Sequence, residues 1–445
     1  MKIHPPKSIF LSLMFISFLF NPIINTQASF HTNNQANQIP FPAPYSQNNA
    51  NLTPHQAQTE PECNFQFEEL HRGALKDAIR SIDSPRFVDP THDMAPEDPR
   101  QKVIGITIDG IARAYPYNIL SWHEIVNDDF NGNKVSITYC PLTGSGLIYP
   151  AGDLNDTQLG VSGLLFENNL VFYECDTGKH WSQMGGFVVK GQQLAGNIDY
   201  VESIETTWET WLKLHPDTKV LSTQTQLAAS YDRYPYGAYL TDRSIYFPTT
   251  FNDNIEPYNL YHEKELTQII QFDNDVLLLP FEELSKIQVL NHNFVNQDLF
   301  TLYVDSEDLA ITYYANINGT KLDFTSYEDD NNVFNADVTF DLPLFIDNLE
   351  NIWNIKGLAI SGPLIGTQLK IIPTYNAFWF AATSFYYDAS ILIVDDSDTS
   401  TSVVLSSFSV TPEVQEQGSL QISPFYVIGL VTLAILRYGK RKIEV

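Results

Sequence analysis

The chain has 445 residues, 43% of them hydrophobic and 13% aromatic, which excludes global disorder and collagen-like or coiled-coil architectures. Its 53 Asp and Glu outnumber its 25 Lys and Arg, and a net charge of -28 repels nucleic acid, so no nucleic-acid partner is expected. Three cysteines cannot build a disulfide-dense scaffold.

The first elements read as an address. Lys2 and Lys7 precede an apolar stretch from Ile9 to Phe20, and Thr26-Gln27-Ala28 offers a small-residue cleavage site. Residues 1–28 therefore read as a secretory signal peptide. Residues 29–64 are rich in Asn, Gln and Pro and read as a flexible lead-in. At the other end, residues 396–420 read as a Ser/Thr-rich stalk. Phe425 to Leu436 is uncharged, and residues 421–438 around it are expected to anchor in the membrane. The basic tail 439–445 would hold that side in the cytoplasm. The arrangement resembles archaeal C-terminal anchor or sorting tails. The expected location is the cell membrane, single pass, with the bulk of the chain extracellular and the membrane itself a partner. Asn51, Asn155 and Asn318 sit in N-x-S/T sequons and are candidate glycosylation sites on such a chain.

Between these ends the pattern is mixed and β-rich. Leu70, Ala74, Leu75, Ala78 and Ile79 recur at helical spacing and predict a helix over Glu68 to Ser81. Val103 to Ile108 and Ile111 to Tyr115 read as strands joined by an Asp109-Gly110 turn. Asn118 to Val126 reads as a short helix, and Asn131-Gly132 turns the chain into a strand from Val135 to Cys140.

The pattern then recurs. At a shift of 164 residues Asp109 falls on Asp273, Pro116 on Pro280, Leu120 on Leu284, Asn127 on Asn291 and Tyr139 on Tyr303. At a shift of 171–172, Trp181 falls on Trp353, Trp208 on Trp379 and Asp217 on Asp388. The expected fold is α+β and β-rich, with two related mixed modules from an internal duplication, flanked by low-complexity segments. The modules are 65–225 and 255–395, joined by a linker at 226–254. Reactive polar residues do not recur. Trp122-His123-Glu124 becomes Lys286-Ile287-Gln288, Cys140 becomes Val304, and His180 becomes Ile352.

Several stretches carry a family likeness. They are VIGITIDGIARAYPYNILSWHEIVND (103–128), VSITYCPLTGSGLIY (135–149) and LGVSGLLFENNLVFYECDTGKHWSQMGG (159–186). TTWETWLKLHPDTKVLS (206–222) and YDRYPYGAYLTDRSIYFPTT (231–250) belong with them. The chain resembles the DUF3179 family of unknown function over residues 80 to 395, best in the first module, with a degenerate related second module. The likeness implies a fold and no mechanism. Family members commonly read Cys-Pro-Leu-Cys-Gly, whereas this chain has Thr143 at the second cysteine position, which undermines a dithiol role.

Cys140 is the candidate catalytic residue, at a strand end before a turn rich in Gly and Pro. Three readings stand for it: an inert thiol or a disulfide with Cys175, a metal ligand, or a nucleophile. As a ligand it would join His123 and His180, with Asp176 or Glu124 completing a site for copper or zinc. No G-x-S-x-G occurs to support a serine hydrolase. Two functions follow. One is a membrane-tethered cell-surface binding or structural module, with a groove for a cell-surface protein or glycan. The other is an extracellular metal- or thiol-dependent redox or hydrolytic site in the first module.

Overall fold

The computed structural model describes residues 70–191, 198–225, 229–254, 256–327, 342–395 and 402–407. Its first element, β1 (Leu70–Arg72), is a strand where the sequence predicts a helix. The Gly73 and Ala74 N–H groups donate to the Gly163 carbonyl, that of Asp77 to Val161, and Asp77 takes a left-handed φ of 57°. Pairing with a distant strand overrides a short stretch of helical spacing. Leu75, counted toward the helix's inner face, is exposed.

The rest of the first half follows its turn signals. In order come β2 (Phe87–Val88), β3 (Lys102–Ile108), β4 (Ile111–Pro116), α1 (Tyr117–His123), β5 (Ile125–Phe130), β6 (Asn133–Cys140) and β7 (Ser145–Pro150). Asp109-Gly110 and Asn131-Gly132 make the two hairpin turns, all four residues having positive φ. The helix α1 stops earlier than expected because Glu124 turns left-handed, at φ 58°, and β5 begins at the next residue. There follow β8 (Leu159–Phe166), β9 (Asn169–Glu174), β10 (His180–Ser182), β11 (Val188–Lys190), β12 (Ile204–Thr207), α2 (Trp208–Leu214) and β13 (Lys219–Leu221). Three sheets result, of orders β12-β3-β4-β13-β2, β5-β6-β7 and β1-β8-β9-β10-β11.

The second half runs β14 (Leu266–Phe272), β15 (Asp275–Pro280), α3 (Phe281–Ile287), β16 (Val289–Phe294), β17 (Gln297–Val304) and β18 (Leu309–Tyr314). After a small pair, β19 (Asn316–Ile317) and β20 (Thr320–Lys321), come β21 (Phe324–Tyr327), β22 (Leu344–Asp347), β23 (Ile352–Trp353) and β24 (Ala359–Ser361). It closes with β25 (Thr374–Phe378), α4 (Trp379–Phe385), β26 (Ser390–Asp395) and β27 (Ser402–Ser407). Its main sheets have orders β25-β14-β15-β26-β27, β16-β17-β18 and β21-β22-β23-β24. The fold is thus α+β and strand-rich, with several small sheets.

One apolar cluster joins the halves. Cys140, Leu142 and Trp181 share it with Ile269, Leu278, Trp379 and Phe380. All described residues belong to one compact unit, Phe41–Val445. Gly144 marks the closest approach. Its φ is 62°, and a Cβ there would lie 2.7 Å from the Phe378 ring. The Phe378 N–H donates to the Thr143 carbonyl at 2.7 Å, so the turn after Cys140 is docked on the second half.

The membrane expectation is corrected. Among the described residues no helix is long and apolar enough to cross a membrane. The helices α1 to α4 have seven residues each, against roughly 20 needed for a span. The membrane-tethered, single-pass cell-surface reading is therefore set aside, along with the membrane as partner. The segments 1–28, 29–64 and 421–438, Cys63 and Asn51 lie outside the described residues, as does most of 396–420. Asn155 and Asn318 occupy exposed turns with positive φ.

Candidate functional site

Cys140 ends β6, and its register partner across the hairpin is Ser145. The thiol is buried, 3.6 Å from the Asn168 carbonyl. Burial, followed by the nearby Glu124 charge, pushes it up to about 11, although Thr143 and the Leu142 N–H bond the sulfur. A thiol so placed stays protonated at neutral pH and is a poor nucleophile. Behind it lies a closed polar network. Asn169 Nδ2 donates to Thr143 Oγ1 at 2.9 Å, Ser145 Oγ at 3.1 Å and Gln183 Oε1 at 2.6 Å. Gln183 Nε2 donates to Thr138 Oγ1 at 3.0 Å. Satisfied buried polar groups of this kind fix one geometry. Thr143, at the position where the resemblance led to a second cysteine, serves this network.

The expected metal ligands do not converge. His123 is buried, with Nδ1 2.7 Å from the Arg80 carbonyl and Nε2 2.7 Å from the Tyr231 hydroxyl, so both ring nitrogens are engaged. His180 lies on β10, with Nδ1 2.9 Å from the Gly178 carbonyl. Asp176 lies on an exposed turn. Glu124 is buried and accepts from the Tyr236 hydroxyl at 2.8 Å. Among the described residues no three His, Cys, Asp or Glu are gathered to hold a metal ion. Cys140 and Cys175 are both free thiols, one buried and one exposed, so the disulfide reading is also corrected. The side chains of His123, His180, Glu124 and Cys140 are used by backbone and tyrosine partners, and the candidates lie on different elements.

What the structure gathers instead is tyrosine. The stretch from Tyr231 to Pro248, expected within a linker, packs over the Cys140 turn. The Tyr239 hydroxyl donates to the Leu142 carbonyl at 2.8 Å, and that of Tyr234 to Pro141 at 3.3 Å. Lys264, itself buried, donates to the Ser244 carbonyl at 2.6 Å and sits 3.6 Å from the centre of the Tyr239 ring, tying the stretch to the second half. Beside it opens a cleft of about 710 Å³. Tyr117, Tyr139, Tyr231 and Tyr234 line it, with Asn118 and Ser121 from α1 and the loop of residues 93–101 opposite. At 4.4 Å between centres, the rings of Tyr117 and Tyr139 pack together.

Glu205 of β12 lies behind the cleft. It is buried, accepts from the Tyr117 hydroxyl, and accepts from the Asn376 N–H of β25 at 2.8 Å. Burial raises its carboxyl to about 7, opposed by these bonds and by Lys102. Burial likewise raises Glu124 to about 7, opposed by Tyr236. The sequence reading missed Glu205, Tyr117, Asn118 and Tyr234. The available signal was the density of tyrosine in YPYN (115–118) and YDRYPYGAY (231–239), and a lone acid in the strand before Thr206.

One family model, described as a protein of unknown function (DUF3179), matches residues 76–389. The chain belongs to that family. The match spans both halves, so the second half is part of the family's domain rather than a degenerate appendix to it. No curated protein and no solved structure matches the chain.

Proposed function

We propose that this DUF3179 protein binds a small organic ligand in the tyrosine-lined cleft of its first half. The observation that carries the reading is the cleft itself. Its volume, about 710 Å³, falls in the usual range for small-molecule sites, roughly 300–1,000 Å³. Four tyrosines from three separate stretches of chain wall it, each ring combining an apolar face with a polar edge. Fragment screening by ligand-observed NMR, with competition mapped to Tyr234→Ala, tests it. Fragments that lose binding in that variant support the reading; fragments unaffected by it, or none at all, overturn it.

We further infer that residues 65–225 and 255–395 are two copies of one module, joined by 226–254, the second acting as scaffold. Equal orders of elements support this, as do specific bonds. Asn127 exchanges two hydrogen bonds with the Leu159 backbone, both at 3.0 Å. Asn291 exchanges two with the Phe324 backbone, both at 2.7 Å. The indole of Trp181 donates to buried Glu174 at 2.9 Å, and that of Trp353 to buried Asp347 at 3.0 Å. Left-handed residues close both α1 and α3, with φ of 58° at Glu124 and 56° at Gln288.

A further inference from the structure

We propose that residues 231–236 form a proton-sensitive strap, clasped to the end of α1 by His123 and Glu124, which loosens from one wall of the cleft when the Glu124 carboxyl gives up its proton. The inference concerns the strap's own packing and stands whether or not the cleft takes a ligand.

Two neighbouring residues make the clasp. His123 ends α1, and Glu124 follows it with a left-handed φ of 58°. Each side chain holds one tyrosine of the strap. His123 Nδ1 faces the Arg80 carbonyl at 2.7 Å and so carries the ring proton, which leaves Nε2 to accept from the Tyr231 hydroxyl at 2.7 Å. Glu124 accepts from the Tyr236 hydroxyl at 2.8 Å. Both residues are buried. Between these two points the Trp122 indole donates to the Arg233 carbonyl at 3.0 Å. No helix or strand runs through residues 231–236, so the seat of the strap depends on side-chain contacts of this kind. Tyr231, Asp232, Arg233 and Tyr234 in turn line the cleft.

The two clasps differ in their response to pH. The titratable groups facing Glu124 are the Tyr234 and Tyr236 hydroxyls of the strap and the Cys140 thiol of β6. Burial raises all three, so each is neutral at pH 7 and none balances a carboxylate. The Tyr236 bond favours the charged form of Glu124, yet burial outweighs it and brings the carboxyl to about 7. Below that value the strap lies on a neutral acid. Above it a charge is buried without a counter-ion, and lifting Tyr236 lets water reach it. Burial moves the His123 ring the other way, below its usual 6.5, so it is neutral where Glu124 titrates.

The next residues along the chain give a fixed reference. The Tyr239 hydroxyl donates to the Leu142 carbonyl at 2.8 Å, and Lys264 Nζ donates to the carbonyls of Tyr239 at 3.3 Å and Ser244 at 2.6 Å. Arg243 donates twice to Glu263 Oε1, at 3.1 and 2.6 Å. None of these bonds involves Glu124, so the part from Tyr239 to Ser244 stays seated over Cys140 when the strap loosens.

Native-state proteolysis of the full chain with trypsin tests this, the fragments being identified by mass. Arg233 lies in the strap and Arg243 in the pinned part, and both side chains are exposed. Cutting after either needs the backbone to open locally, and the open population sets the rate. Each rate is divided by that of trypsin on a short arginine peptide at the same pH. Glu124 stands at about 7 in the closed strap and near the usual 4.5 in the open one. Opening then releases a proton between those values, and linkage raises it about tenfold from pH 6 to pH 8. Cutting after Arg233 is expected to rise by that factor, cutting after Arg243 to stay level, and Glu124→Gln to remove the rise. Tyr236→Phe keeps the ring, loses the hydroxyl, and is expected to speed the Arg233 cut at pH 6. Equal rises at both sites, a level rate at Arg233, a rise that persists in Glu124→Gln, or an unchanged rate at pH 6 in Tyr236→Phe would each overturn the proposal.

Discussion

Both halves build a hairpin, a seven-residue helix and a three-stranded meander in the same order, but only the first ends them in buried chemistry. There α1 closes on buried His123 and Glu124, and β6 on buried Cys140. At the matching positions the second half has Ile287, an exposed Gln288 and buried Val304. The turns that follow also differ. The Cys140 turn docks on Phe378, while the turn after Val304 reaches back. Its Glu307 accepts from the hydroxyls of Thr207 at 2.8 Å and Thr210 at 2.6 Å, and from Arg100 at 3.2 Å. Each half thus braces the other, and the second half's brace holds one wall of the cleft. Apolar packing recurs readily because it needs only volume and pattern. Buried polar groups need partners at fixed distances, and unpaired they cost several kcal/mol in the least forgiving reference states, roughly 1–3 in proteins.

The comparison breaks first at Asn169. Asn169→Leu removes an NH2 whose two N–H groups are shared among three acceptors, and the bond accepted from the Met184 N–H at 2.9 Å. We expect a loss of about 3–5 kcal/mol in urea unfolding, as several buried partners are orphaned together. In the second half, Thr312→Val interrupts a simpler chain from Thr301 to Gln268, with bonds of 2.8 Å on each side. Its expected cost is about 1–2 kcal/mol. Equal losses would remove the claim that the first half is the more specified.

Two raised carboxyls of the first half make stability depend on pH. Burial raises Glu124 and Glu205 to about 7 from the usual carboxylate value of 4.5. Between those values the folded chain holds protons that the unfolded chain has released. Their contribution is therefore greatest below about pH 4.5 and falls as pH rises through 7. The expected decline is about 3 kcal/mol for each group. Thermal melts between pH 5 and 8 should show it, with Glu205→Gln and Glu124→Gln each flattening the slope. An unchanged slope in the double variant would mean that neither carboxyl is desolvated. The two indoles sharpen the comparison at a smaller scale. Trp181→Phe and Trp353→Phe each remove one donor from a buried carboxylate, at an expected cost of about 1–3 kcal/mol. Similar losses support shared modules; a large cost for one alone argues against them.

Local chemistry explains what the sequence made legible. Asp109-Gly110 and Asn131-Gly132 announce hairpins because their backbone needs are particular to those residues, and β3, β4 and β6 are strands that those turns join. The helix expected over Glu68 to Ser81 fails because its backbone bonds come from Val161 and Gly163, far along the chain. The site was legible only as a region. Cys140 and His123 drew notice as reactive types, yet their partners, Asn168 and Tyr231, are set by tertiary packing. Glu205 is distant in sequence from Tyr117 and from Asn376, and no spacing rule links the three.

The smallest effects concern the thiols, and they distinguish a reactive cysteine from a packed one. Cys175 is exposed and Cys140 is buried. In a Cys63→Ser background, iodoacetamide at pH 7.5 should label Cys175 in the folded chain and reach Cys140 only on unfolding, as peptide mass analysis would show. Burial alone would slow Cys140; its thiol held up at about 11 leaves little thiolate to react even when a reagent enters. Cys175→Ser should change stability by less than about 0.5 kcal/mol, as an exposed substitution. Cys140→Ala should cost about 1–2 kcal/mol from lost packing against Leu142 and its neighbours. Rapid labelling of Cys140 in the folded state would reopen thiol chemistry in the first half, and would shift attention from the tyrosine cleft to the turn beside it.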